Sequence, residues 1–129
     1  MKDYHAVLKD GTEIFVAQWS ASVAFMNLGK VCKAFGKARV EAIAKLDEYS
    51  INNAKASLMD TEDAEKTYAA MQHFVCTIGM DGKRVLPNTF DDMFSEDMGK
   101  AVEIFAHVVH AVYSDFFEQG LTEDSSQPS

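Results

Sequence analysis

The chain has 129 residues, of which 47% are hydrophobic and 25% charged, and its formal net charge is -8. This length is enough for one domain with a modest core, and the composition is that of a globular protein rather than a disordered one. The acidic balance argues against direct nucleic-acid binding, and no run of the sequence approaches the roughly 20 apolar residues of a membrane span.

The first elements in chain order are a hairpin and two helices. The pair Asp10-Gly11 separates two short runs rich in strand-forming residues, which predicts a β-hairpin. After the hairpin, the apolar residues recur at helical spacing, and "SASVAFMNLGKVCKAFG" predicts a helix that ends at Gly36. A second helix is predicted in "KARVEAIAKLDEYS", whereas the polar segment "INNAKASLMD" fits no element.

The second half of the chain predicts two more helices. The segment "DTEDAEKTYAAMQHFVCTIG" reads as a helix with Asp60 or Thr61 as its N-cap and Gly79 at its end. The pair Asp81-Gly82 indicates a second small hairpin, and "NTFDDMF" one turn of helix. The last helix is expected to have Ser95 as its N-cap and to end at Gly120.

These elements predict a mainly α fold, in which a small N-terminal β-hairpin packs on a bundle of about four helices. We expect one domain over residues 1–120. Residues 121–129 are polar and lack apolar anchors, so we expect them to form a disordered tail.

The last helix is too apolar for a single core contact. A surface helix normally carries one apolar stripe, but apolar residues wrap most of the way round this one. Phe105, Val109, Val112 and Phe116 form one stripe, which we assign to the domain's own core. A second, surplus side is predicted to bind a partner protein or another copy of the chain, and its residues are Ala101, Ile104, Val108 and Phe117. The two apolar stripes lie close together on the helix, so the sequence alone leaves open which of them faces the core.

A basic cluster near the end of the first predicted helix is the second candidate binding site. It consists of Lys30, Lys33, Lys37 and Arg39. Cations are favoured at a helix C-terminus, so the cluster has an ordinary structural explanation. On an otherwise acidic protein it is also a candidate docking patch for an acidic partner.

Catalytic and metal-binding signals are weak. His73 and Cys76, like His107 and His110, stand three residues apart and could together supply four zinc ligands. The simpler interpretation is that the two later histidines belong to a solvated polar stripe. Cys32 and Cys76 lie in apolar helical runs, which predicts reduced, buried thiols and a cytosolic setting. With no catalytic motif present, we expect no enzyme activity, no cofactor and no bound metal.

Two stretches of the sequence resemble a known family. They are "DGTEIFVAQWSASVAFMNLGKVCKAFG" and "DGKRVLPNTFDDMFSEDMGKAVEIFAHVVHAVYSDFF". The pattern, which covers most of residues 4–118, resembles the tail assembly chaperones of long-tailed bacteriophages. Two elements carry the resemblance at the C-terminal end: Phe90-Asp91 with Phe94, and the closing run Tyr113-Ser114-Asp115-Phe116-Phe117.

The resemblance implies a role in phage tail assembly. A protein of this family is expected to bind the long helical tape measure protein, to keep it soluble in the host cytoplasm and to help recruit tail tube subunits. It would be absent from the mature virion. The alternative is a small structural component of the phage tail or baseplate. Neither role involves nucleic acid or a membrane.

Overall fold

A computed structural model describes residues 3–118 of the chain. The predicted tail, 121–129, lies outside the described residues, as does the last part of the predicted domain. The described elements are β1 Tyr4–Val7, β2 Glu13–Val16, α1 Ala21–Phe35, α2 Lys37–Ala44, α3 Ser50–Asp60, α4 Ala64–Val75, β3 Ile78–Met80, β4 Lys83–Arg84, α5 Phe90–Phe94 and α6 Met98–Phe117. The fold is mainly α with a small β element, as the sequence predicted. Over the described residues it has six helices rather than about four, because α3 and the short α5 join the bundle.

The two hairpins combine into one antiparallel sheet of order β1-β2-β3-β4. The first turn holds Gly11 at a φ of 91°, and the second holds Asp81 and Gly82 at 50° and 83°, so both turns use the left-handed region that Asp-Gly pairs tolerate. Both predicted hairpins are therefore confirmed. Their union through β2 and β3, in the register that pairs Phe15 with Gly79, was not predicted.

Helix α1 has the boundaries expected from its caps. The Ser20 hydroxyl accepts a hydrogen bond from the Val23 amide, and Gly36, at a φ of 95°, ends the helix. The polar segment "INNAKASLMD", which the sequence assigned to no element, forms α3 together with Ser50. This helix is held by its small residues: Ala54 is fully buried, and the Ser57 hydroxyl donates to the Phe35 carbonyl oxygen at 3.1 Å.

The predicted ends of α4 were wrong on both sides. Its N-cap is Asp63, whose carboxylate accepts a hydrogen bond from the Lys66 amide at 3.1 Å, and not Asp60 or Thr61. The helix ends at Val75 instead of Gly79. Residues 78–80 leave the helix because β2 offers their backbone a strand partner and because Ile78 becomes buried there.

Helix α6 is the central element of the bundle. It packs against α2, α3, α4 and α5 and against β2. Its Phe105 ring stacks on Phe35 of α1 with 4.7 Å between ring centroids and lies 5.5 Å from Phe74 of α4. A helix with neighbours on several sides needs apolar residues around most of its circumference, which explains its composition. Its N-cap is Asp97, whereas the predicted cap, Ser95, ends α5.

Within residues 3–118, none of the helices combines the length and the apolar character that crossing a membrane would require.

Candidate partner-binding site

The four α6 residues assigned to a surplus face are buried inside the domain. Their exposed fractions are 0–7%. The expectation that they leave an uncovered apolar face is therefore wrong, because α6 has neighbours on several sides and its second stripe packs on them. These residues are Ala101, Ile104, Val108 and Phe117.

One residue of the stripe assigned to the core lies on the surface instead. Phe105 and Val109 of that stripe are fully buried and Val112 is half-buried, but Phe116 is 47% exposed. Its ring contacts Phe25 of α1 edge-on, with 6.4 Å between the centroids. Phe25 is itself exposed, so the two rings form a surface patch between the start of α1 and the end of α6.

An apolar groove of about 400 Å³ lies between α4, α5 and the start of α6; we call it the α4–α6 groove. Its apolar lining residues are Leu58, Tyr68, Met71, Phe90, Phe94, Met98, Ala101 and Val102. Phe90 packs against Tyr68 and Phe94, with centroid distances of 5.9 and 5.0 Å, which gives the groove an aromatic wall. Met98 stands at its edge and is 74% exposed.

Two residue sets from the sequence meet in the α4–α6 groove. Phe90 and Phe94, which carry part of the family resemblance, form its wall, and Ala101 of the predicted α6 set lies at its base. The sequence did not assign Tyr68 or Met98 to a binding site. Burial, and then the nearby Asp91 carboxylate, raise the pKa of Tyr68, so its phenol stays protonated at neutral pH.

A second groove, of about 470 Å³, runs between α1 and α4; we call it the α1–α4 groove. Ala69, Ala70 and Phe74 form its apolar part. Lys30, Lys33 and Lys66 also line it, all three with exposed side chains. The two grooves thus lie on opposite sides of α4, one apolar and the other bordered by lysines.

The predicted basic cluster is divided in the structure. Lys30 and Lys33 line the α1–α4 groove, together with Lys66, which the sequence did not associate with them. Lys37 is exposed at the start of α2 and does not line that groove. Arg39 forms a salt bridge with Asp60 of α3 at 2.6 Å, so much of its charge is compensated locally.

The four residues considered as zinc ligands do not converge. His107 shares a hydrogen bond with the Tyr4 hydroxyl at 2.8 Å, and His110 donates to the Ala44 carbonyl oxygen at 2.8 Å. Among residues 3–118, no three histidine, cysteine or acidic side chains form a group that could hold a metal ion. Burial, and then the proximity of His110, lower the pKa of His107.

The two cysteines are free but only partly buried, so the prediction of buried thiols was wrong in degree. Burial raises the pKa of both Cys32 and Cys76. The thiol form therefore dominates at neutral pH, which disfavours a role as nucleophile.

Among the described residues, the helical domain thus has an apolar groove on one side of α4 and a lysine-bordered groove on the other. The family model described as "phage tail assembly chaperone protein, TAC" matches residues 10–123. The chain therefore belongs to the phage tail assembly chaperone family. Searches of curated proteins and of solved structures find no significant match.

Proposed function

We propose that this chain binds the tape measure protein during tail assembly, keeps it soluble and helps to recruit tail tube subunits. Family membership supports a role in tail assembly. The observation that carries the binding role is the α4–α6 groove, an apolar surface concavity that the described part of the domain leaves open.

The composition of the groove suits one face of an amphipathic helix. Such a helix inserts a row of apolar side chains into an apolar groove. Phe90 and Phe94 supply an aromatic wall that is fixed by packing in the core, whereas Met98 at the edge is flexible and can adapt to different side chains. A long helical partner with several similar stripes could therefore be held along its length by several copies of the domain.

The charge of the chain supports the solubilising role. An extended amphipathic helix exposes apolar stripes that would otherwise associate with one another. A domain with a net charge of -8 that covers such a stripe replaces an apolar surface with an acidic one. We place this non-enzymatic role in the host cytoplasm, before the virion is complete.

Coexpression with the tape measure protein tests the proposal. The tape measure protein should be largely insoluble alone and should become soluble and co-purify when the chaperone is present. Adding the tail tube protein should give a ternary complex. Recovery of no complex would contradict the proposal, and mass spectrometry that finds the chain in purified virions would favour a structural tail or baseplate component instead.

A further inference from the structure

The α1–α4 groove differs in chemistry from the α4–α6 groove. Ala69 and Ala70 line the α1–α4 groove with small side chains that permit close approach of another backbone, and the Phe74 ring packs edge-on against Trp19, with 5.1 Å between the ring centroids. Small residues at a helix surface allow a second helix to pack closely. The groove is thus shaped for a helix rather than for a bulky anchor side chain.

Its border is positively charged on a protein that is acidic as a whole. Lys30 and Lys33 stand on the α1 side and Lys66 on the α4 side, and none of the described residues that line this groove is acidic. The ion pairs within residues 3–118 are Arg39 with Asp60 and Lys100 with Asp10, so these three ammonium groups form no salt bridge with a described residue.

The three lysines favour binding of a helix that carries negative charge. A basic or neutral segment gains nothing from the rim, whereas carboxylates beside the apolar stripe would meet an ammonium group on each side of the groove. The rest of the acidic surface repels the same segment, which fixes its position over the groove.

We propose that the α1–α4 groove is a second docking site and that its occupant is an amphipathic helix whose apolar stripe is flanked by Asp and Glu. The segment belongs to the tape measure protein, so this inference rests on the proposed function. The α1–α4 groove holds acid-flanked stripes, and the α4–α6 groove, whose lining includes Asp91 and no lysine, holds other apolar stripes.

Overlapping 25-residue peptides of the tape measure protein provide the probe. Peptides bound by the full chain should include a set with acid-flanked apolar stripes. The triple variant K30E/K33E/K66E should bind this set about tenfold more weakly at low salt, since three exposed charge pairs are lost. Raising the salt concentration should weaken binding to the unchanged chain, because exposed charge pairs are screened.

The control variant is K45E/K55E/K83E, which has the same net charge but changes exposed lysines that do not line the groove. It should bind the peptides like the unchanged chain. As a second check, acid-to-lysine changes in a bound peptide should restore its binding to K30E/K33E/K66E. Circular dichroism should show equal melting temperatures for both variants.

Any one of three results would overturn the proposal of a second docking site. They are that no acid-flanked peptide binds, that both triple variants lose binding equally, or that the peptide with lysine in place of its acids does not bind K30E/K33E/K66E. Co-purification of the intact tape measure protein shows whether only the second docking site is wrong or the proposed chaperone function as well. If the whole protein still co-purifies with K30E/K33E/K66E and peptide binding is unaffected, the chaperone role stands and the second site does not. If the unchanged chain captures no tape measure protein, the proposed function itself fails.

Discussion

Phe116 and Phe117 are adjacent in the sequence, yet Phe117 is 7% exposed and Phe116 is 47% exposed. Consecutive residues of a helix point about 100° apart, so the end of α6 turns one ring into the domain and the other towards the surface. The two rings remain in contact, with 5.5 Å between their centroids. This pair offers a direct comparison between a core aromatic residue and a surface one.

We expect Phe117→Ala to lower the free energy of unfolding by about 3 kcal/mol, because it removes a buried ring and leaves a cavity. Phe116→Ala should cost about 1 kcal/mol or less, since its ring is half exposed and loses mainly the edge-on contact with Phe25. Urea titration followed by circular dichroism measures both values. Equal losses would show that Phe116 is as important to the core as Phe117.

The N-terminus of α6 provides a second matched pair. Asp97→Ala should destabilise the protein by about 1 kcal/mol, because the carboxylate that accepts the Lys100 amide hydrogen bond is lost. Ser95→Ala should change stability by no more than about half a kcal/mol, since Ser95 lies outside the helix. Thermal melting of both variants decides between the two caps, and a larger effect at Ser95 would contradict the observed helix start.

Stability should fall as the pH drops from about 7 to 5. Burial holds the pKa of His107 below its ordinary value of 6.5, so the unfolded chain binds a proton more readily than the folded one in this range. Protonation therefore favours unfolding, and the contribution of His107 is complete above pH 6.5 and lost as the pH falls through its lowered pKa. In His107→Gln, the slope of unfolding free energy against pH should be smaller.

His5→Gln is the control for that experiment, because His5 is exposed on β1. It should retain the pH slope of the unchanged protein. If His107→Gln and the unchanged protein have the same slope between pH 5 and 7, the buried histidine does not link protonation to folding.

The α4–α6 groove can be tested with two methionines of similar exposure. Met98 at the groove is 74% exposed, and Met59 on α3, which does not line it, is 78% exposed. Both Met→Ser variants should fold normally. Met98→Ser should weaken the complex with the tape measure protein by about 1–2 kcal/mol, because it removes an apolar contact at the interface. Calorimetry that gives the same loss for Met59→Ser would argue against the groove as the binding surface.

The sequence by itself determined the features that depend on local chemistry. The Asp-Gly turns, the helix end at Gly36 and the helical periods of α1, α4 and α6 are set by residues within a few positions of one another, so they could be predicted. The family resemblance can also be recognised from the sequence, because it rests on local elements such as Phe90-Asp91 and the closing aromatic run. The starts of α4 and α6 do not follow from the sequence, because neighbouring Ser, Thr and Asp residues are all good caps and tertiary packing selects among them.

Only the tertiary structure decided which apolar residues of α6 are covered. Apolar residues around a whole helix indicate that it has several contacts, but they do not reveal whether the domain or a partner makes them. Here α2, α3, α4 and α5 supply those contacts, which buries Ile104 and Val108 and leaves Phe116 at the surface. For the same reason Lys66 could be grouped with Lys30 and Lys33 only after α1 and α4 were seen side by side, because a groove between helices joins residues that are distant in sequence.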